Sequence, residues 1–131
     1  MGRSHVHGND RWMDAAPFAA LLAVGLLSGC GSAGASSAIG DADQGAVVIA
    51  RSACGSCHVI PGIPLADGTV GPSLSSFGKR MVIAGRLPNS APNLVLWLQH
   101  PQQVAPHNAM PDMGLSTGEA RDVAAYLYGS K

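Results

Sequence analysis

Apolar side chains recur on one helical face near the end of the chain. The positions that repeat at this spacing are Ala120, Val123, Ala124 and Leu127. Residues 116–119, with the sequence Ser-Thr-Gly-Glu, fit a capping box, in which a serine and a glutamate bind the free backbone amides at the start of a helix. The pattern therefore predicts a helix that begins after Ser116 and ends at Gly129, with Arg121 and Asp122 facing the solvent.

A second helix is predicted over residues 41–53. Either Asp41 or Asp43 can serve as its N-cap. Gly45 falls in the helix interior, where a glycine costs about 0.8–1 kcal/mol relative to alanine. A close crossing with another helix would explain the choice, because only glycine has no Cβ.

A third helix is predicted over residues 93–99, since Pro92 can open it and it must end before Pro101. Its apolar face consists of Leu94, Trp97 and Leu98. The stretch 58–92 is instead interrupted repeatedly by glycine and proline, with one short helix predicted over 75–81. A loop region of this length is unusual in a small domain unless it surrounds something large.

The first part of the chain has the pattern of an export signal. Residues 15–27 are apolar but too few to cross a bilayer, which takes about 20 residues. Arg3 and Arg11 precede this run and small residues follow it at 28–30, as in a secretory signal peptide.

These patterns divide the chain into three parts. We predict a signal peptide over residues 1–29, a flexible tether rich in glycine, serine and alanine over 30–40, and one folded domain over 41–131.

The composition excludes some classes of function. Eight basic residues balance eight acidic residues, so the net charge is zero and no basic surface for nucleic acid is expected. Charged residues make up 12% of the chain and aromatic residues 5%, which leaves few large side chains for a core. The three cysteines each require an explanation.

Residues 54–58, with the sequence Cys-Gly-Ser-Cys-His, form the C-x-x-C-H signature of a covalently attached c-type haem. Cys54 and Cys57 can each bond one vinyl group along the same porphyrin edge, and His58 then lies beneath the iron. A thioredoxin-like site would need a βαβ context, and a zinc site would need further ligands, neither of which the pattern indicates. We therefore predict one covalent haem c and no disulfide.

The sixth position of the iron has several candidate ligands in residues 106–114. Met110, Met113 and His107 all lie there, and a methionine would give a higher reduction potential than a second histidine. Met81 is expected to pack against the haem or in the core. His107 and His100 are interpreted as exposed loop residues.

Three motifs in order, 54–58, Gly-Pro-Ser-Leu at 71–74 and 106–110, make the chain from residue 41 to 128 resemble a class I c-type cytochrome. The resemblance implies an all-α fold of three to five helices, with long loops wrapped around one haem. It also implies that the Pro72 carbonyl accepts a hydrogen bond from His58 and that Met110 is the distal ligand.

The same resemblance assigns roles to three residues outside these motifs. It implies that the first and last helices cross at Gly45, with Tyr126 packed at the crossing. It also implies that Trp97 lies beside the haem.

Two finer resemblances concern the setting of the protein. Residues 83–89, 93–98 and 101–102 are similar to the cytochrome c domains fused to, or serving, subunit II of haem-copper oxidases. Residues 27–30 resemble a bacterial lipobox, which implies that Cys30 is lipidated and anchors the chain on the periplasmic side of an inner or outer membrane. Several acyl chains would give stable anchoring.

These observations predict an electron carrier rather than an enzyme. We expect redox proteins as partners, a haem-copper oxidase among them, and neither nucleic acid nor a small-molecule substrate. The alternatives are a haem subunit of a periplasmic dehydrogenase, or a peroxidase or sensor whose sixth position is open.

Overall fold

The computed structural model describes residues 39–131. These residues form four α-helices: α1 (Ala42–Arg51), α2 (Ala91–Gln99), α3 (Pro101–Val104) and α4 (Thr117–Gly129). Single 3₁₀ turns occupy Cys54–Ser56 and Phe77–Lys79. A small antiparallel sheet pairs β1 (Val82–Ile83) with β2 (Leu87–Pro88). No helix in this part of the chain is long and apolar enough to cross a membrane.

The predicted signal peptide and the lipidation site at Cys30 lie outside the described residues.

The two longest helices begin at well-formed caps. Asp41 accepts hydrogen bonds from the amides of Asp43 and Gln44 at 2.9 and 3.1 Å, so Asp41 rather than Asp43 caps α1. At the start of α4, the Glu119 amide donates to Ser116 Oγ at 3.3 Å, and the Ser116 amide donates to Glu119 Oε2 at 2.8 Å. The capping box predicted from the sequence is therefore present.

Gly45 lies where α1 crosses α4, which form the most extensive packing between any two described elements. A Cβ at this position would fall 2.6 Å from the Asp122 carbonyl carbon and 3.0 Å from Tyr126 Cβ. The crossing predicted at Gly45 is confirmed, with Tyr126 beside it. Only a residue without a side chain allows this approach.

The environment of Asp122 differs from the sequence prediction. It was predicted to face the solvent, but it accepts a hydrogen bond from the Asp41 amide at 2.9 Å and is only half exposed. The carboxylate thus joins the start of α1 to the middle of α4. Helical spacing alone could not show this contact, because it depends on the angle at which the two helices cross.

The stretch between His58 and the start of α2 at Ala91 contains turns, loops and a short hairpin rather than an α-helix. The helix predicted over 75–81 is reduced to the turn at Phe77–Lys79, and β1 and β2, which were not predicted, form a tight hairpin. Asn89 holds this region together: its Nδ2 donates to the carbonyls of Arg80 (2.9 Å) and Phe77 (3.1 Å), and its Oδ1 accepts from the Tyr128 hydroxyl (2.6 Å).

Met81 is 83% exposed, so the expectation that it packs in the core or against the haem is wrong. It immediately precedes β1, and its carbonyl accepts the Asn89 amide at 2.9 Å. That backbone pairing fixes the hairpin and leaves the side chain in the solvent.

Candidate cofactor site

Most of the buried apolar side chains of the domain surround a cavity of about 340 Å³, within the range of small-ligand sites. Most of its wall is apolar and comes from α1, α2, α4, the hairpin and the loops between them. The buried residues in the wall are Ile49, Ile60, Phe77, Ile83, Leu94, Leu98, Ala105, Val123 and Leu127. Much of the apolar core of this domain therefore lines the cavity, rather than packing into a continuous interior.

Cys54, Cys57 and His58 all line this cavity. Helix α1 ends at Arg51, and Ala53 has a left-handed backbone (φ 53°) that turns the chain into the 3₁₀ segment carrying Cys54. The two cysteines are not joined by a disulfide. Burial raises the pKa of the Cys54 thiol, so this thiol is protonated at neutral pH.

Backbone hydrogen bonds fasten this turn to the loop that follows it. The Gly68 amide donates to the Gly55 carbonyl at 3.0 Å, and the Gly71 amide donates to the Cys57 carbonyl at 2.7 Å. Gly55 is needed for the approach, because a Cβ there would lie 2.7 Å from Ala66 Cβ. The spacing of the two cysteines is therefore held by the surrounding backbone.

The imidazole of His58 is oriented by Pro72. The distance from His58 Nδ1 to the Pro72 carbonyl oxygen is 2.7 Å, which makes Nδ1 the protonated nitrogen and leaves the Nε2 lone pair free to bind a metal. Gly71 gives the ring its space, since a Cβ there would lie 2.6 Å from Nδ1 and 2.9 Å from Nε2. This is the arrangement that the resemblance implied for Pro72.

Met110 and Met113 also line the cavity, so the structure brings both predicted thioethers to the same space as His58. His107, the third candidate, is exposed and does not line it, and His100 is exposed as well. Trp97 contributes to the wall, as the resemblance implied.

Some residues at the site escaped the sequence analysis. Arg80 lines the cavity, donates to the Ser73 carbonyl, and places its guanidinium 5.4 Å from the centre of the Phe77 ring. Gln102 and Asn108 bind the backbone of the loop that carries Met110. Polar residues in short loops give no periodic signal, so only the fold reveals such contacts.

The residues present fit a covalent haem c. Two thiols and an imidazole with a free Nε2 line a largely apolar cavity, and two thioethers lie in the same wall. Haem attachment requires this donor set, and an apolar wall excludes water from the iron.

Residues 42–131 match the family described as cytochrome c, and the chain belongs to that family. It therefore carries covalently attached haem c and functions in electron transfer. The fold agrees with this assignment. Over 70% of this chain and 82% of the other, it resembles a chain of the crystal structure of SoxXA from P. pantotrophus, with a TM-score of 0.52 and 20% identity.

Two curated relatives are both cytochrome c oxidase subunit 2. The chain is 39% identical over 93 residues to that of Alkalihalophilus pseudofirmus and 32% identical over 94 residues to that of Bacillus subtilis. Each match covers 69% of this chain but only 26% of the relative. The chain thus spans about a quarter of the length of these relatives.

Proposed function

We propose that this protein is a lipid-anchored electron carrier on the periplasmic side of a bacterial membrane, with a His/Met-ligated haem that passes electrons to a haem-copper oxidase. The observation that carries the proposal is that Cys54, Cys57, His58 and Met110 line one and the same cavity. When bound there, the haem supplies one-electron exchange between ferric and ferrous iron.

The residues of the chain have separate tasks in this proposal. The thiols of Cys54 and Cys57 would each hold one vinyl group of the haem covalently, by an addition that breaks the S–H bond and the vinyl π bond and forms one C–S and one C–H bond. His58 would bind the iron through Nε2, and Pro72 orients the ring for this by accepting the hydrogen bond from Nδ1. Met110 would supply a soft thioether, which favours ferrous iron and would raise the reduction potential.

Spectroscopy of the protein after haem attachment tests the ligands. The wild type should show a weak far-red sulfur-to-iron absorption band in the ferric form and no response to carbon monoxide in the ferrous form. Met110→Leu should lose the band and bind carbon monoxide. Met81→Leu is the matched control, because Met81 is 83% exposed and outside the cavity wall, and it should behave as the wild type.

A wild-type protein that binds carbon monoxide and lacks the band would contradict His/Met ligation. It would instead indicate an open sixth position, as in the peroxidase or sensor alternative.

The membrane anchor is supported by the sequence around Cys30. The short apolar run at 15–27 and the Leu-Ser-Gly-Cys sequence at 27–30 are the features of an acylated lipoprotein. Cys30→Ser should move the protein from the membrane fraction to the soluble fraction without changing its absorbance spectrum. Membrane association that persists in this variant would contradict lipidation.

An oxidase partner is supported by the similarity to the subunit 2 relatives. Basic and acidic residues balance in 41–131 as they do in the whole chain, so long-range steering by charge should be weak. Anchoring carrier and oxidase on one membrane would raise their effective concentration instead. Oxidation of the reduced protein by oxidase-containing membranes should then depend little on salt, and a steep dependence would contradict this mode of encounter. Isolation of the protein in a stable complex with a dehydrogenase would favour the dehydrogenase alternative.

A further inference from the structure

Gln102, on helix α3, binds the backbone of the loop that carries Met110. Its Nε2 donates to the Met110 carbonyl at 2.7 Å and to the Asn108 carbonyl at 3.0 Å. Its Oε1 accepts the His107 amide at 3.2 Å. One side chain therefore joins three backbone groups across the reversal of the loop, where His107 has a left-handed backbone (φ 66°).

Asn108 binds the backbone amide of Met110, whose carbonyl is bound by Gln102. Its Oδ1 accepts the Met110 amide at 2.7 Å, and its Nδ2 donates to the carbonyls of Ala105 (2.7 Å) and Pro101 (2.9 Å). Both polar groups of the Met110 backbone are thus bound by side chains, one from Gln102 and one from Asn108. The two side chains connect Met110 to the helix that precedes the loop.

The backbone of Met113 is less constrained than that of Met110, although both side chains line the same cavity. Among residues 39–131, neither a side chain nor another backbone group forms a hydrogen bond with the Met113 backbone, and Gly114 follows it with a left-handed backbone (φ 67°). Of two chemically equivalent thioethers in one wall, the structure fixes the backbone of only one.

We propose that Gln102 and Asn108 are positioning residues that select Met110 over Met113 as the sixth ligand and keep the ligand loop closed. The proposal rests on the His58/Met110 ligation proposed above. Without the Gln102 amide, the carbonyls of Asn108 and Met110 lose their donor, which weakens the closed loop relative to open conformations. A larger open fraction gives competing ligands easier access to the iron.

Imidazole titration of the ferric protein measures this open fraction, because the apparent dissociation constant falls as the binding-competent fraction rises. Gln102→Glu keeps the shape of the side chain but replaces the donor by an oxygen that faces two carbonyls. At mildly alkaline pH it should bind imidazole roughly tenfold more tightly than the wild type and lose part of the far-red band. Gln103→Glu, the same change at the exposed neighbouring position, should match the wild type.

Two further variants control for the negative charge that Gln102→Glu introduces. Gln102→Ala and Asn108→Ala each remove bonds to the Met110 backbone without adding a carboxylate, and both should tighten imidazole binding. Wild-type imidazole affinity in these variants would overturn the proposal. Loss of native helicity in both Gln102 variants would also overturn it, because Gln102 would then support the fold as a whole rather than the ligand loop.

The selection between the methionines is tested by adding Met113→Leu. In the wild-type background, where the loop is closed with Met110 in place, this change should alter imidazole affinity only slightly. In the Gln102→Glu background it should tighten binding further, because Met113 can replace Met110 only when the loop is released. Equal effects in the two backgrounds would contradict the selection.

The Met110→Leu variant separates this inference from the proposed function. If Met110→Leu retains the far-red band, the proposed ligation itself is wrong. If Met110→Leu loses the band but Gln102→Glu matches Gln103→Glu, the ligation stands and only the positioning role fails.

Discussion

Tyr126, near the end of α4, donates a hydrogen bond from its hydroxyl to the Pro61 carbonyl at 2.6 Å. Burial raises the pKa of this phenol above its ordinary value of about 10. The deprotonated form could not donate this bond, so geometry and pKa agree that the folded chain favours neutral Tyr126. The contact ties the last helix to the loop after the haem-attachment motif, and Gly62 beside it allows the approach.

Removing this hydroxyl should change both stability and its dependence on pH. Tyr126→Phe should lower the free energy of unfolding at neutral pH by about 0.5–1.5 kcal/mol. The folded wild type holds the phenolic proton more tightly than the unfolded chain does. The contribution is therefore complete below about pH 10 and declines as the pH rises further. Urea unfolding across that range should show a flatter decline for Tyr126→Phe, and parallel profiles for the two proteins would contradict the coupling.

At the residue scale, the sequence predicted site residues best where they lie close together in the chain. Cys54, Cys57 and His58 lie within the short segment 54–58, so any fold that binds haem through them must place them together. Gln102 and Asn108 could not be found in the same way, because their importance lies in which backbone atoms the folded loop brings within reach. The prediction for Met81 was wrong for a related reason. The sequence of a loop does not show whether an apolar side chain points to the core or to the solvent.

At the scale of elements, the helices were predictable from their caps and apolar faces, and the short elements were not. Residues 116–119 specify the start of α4 because the capping side chains are adjacent in the sequence. Helix α1 ends at Arg51 rather than at residue 53, because Ala53 adopts a left-handed backbone to present Cys54. Strands β1 and β2 are two residues each, too short for any alternation to appear.

The crossing of α1 and α4 gives the prediction that belongs to this scale. Gly45→Ala would bring a Cβ to 2.6 Å from the Asp122 carbonyl carbon, and backbone cannot move aside as a flexible side chain can. We expect the free energy of unfolding to fall by about 1–3 kcal/mol, as in overpacked cores, despite the better helix propensity of alanine.

Gly118→Ala is the matched control for that change. Gly118 lies in the first turn of α4, and its nearest neighbour to a new Cβ is Ser116 Oγ at 4.0 Å. With space available, alanine should leave stability unchanged or raise it by up to about 1 kcal/mol. Thermal unfolding of both variants distinguishes steric conflict from propensity, and equal shifts in Tm would contradict the close crossing as the reason for Gly45.

At the scale of the whole molecule, the cavity is the centre of the domain rather than an addition to it. Large buried side chains such as Ile49, Ile83, Leu94 and Val123 all belong to its wall. Composition indicated this in advance, because aromatic residues make up only 5% of the chain and a long glycine- and proline-rich stretch needs an apolar surface to pack against. The sequence could not show which residues form the wall, since that depends on how the loops fold around the space.

A chain that cannot attach haem should therefore lose much of its cooperative fold. Burial of apolar area stabilises by about 25 cal/mol per Å², and with the cavity empty its wall would face water on one side. We expect Cys54→Ala/Cys57→Ala to show reduced helical circular dichroism, a broad thermal transition and faster proteolysis. Cys30→Ser removes a cysteine outside the site and should retain the native transition. A doubly substituted protein with wild-type helicity and a sharp transition would show that the helices pack independently of the haem, and the cavity would then be a preformed site.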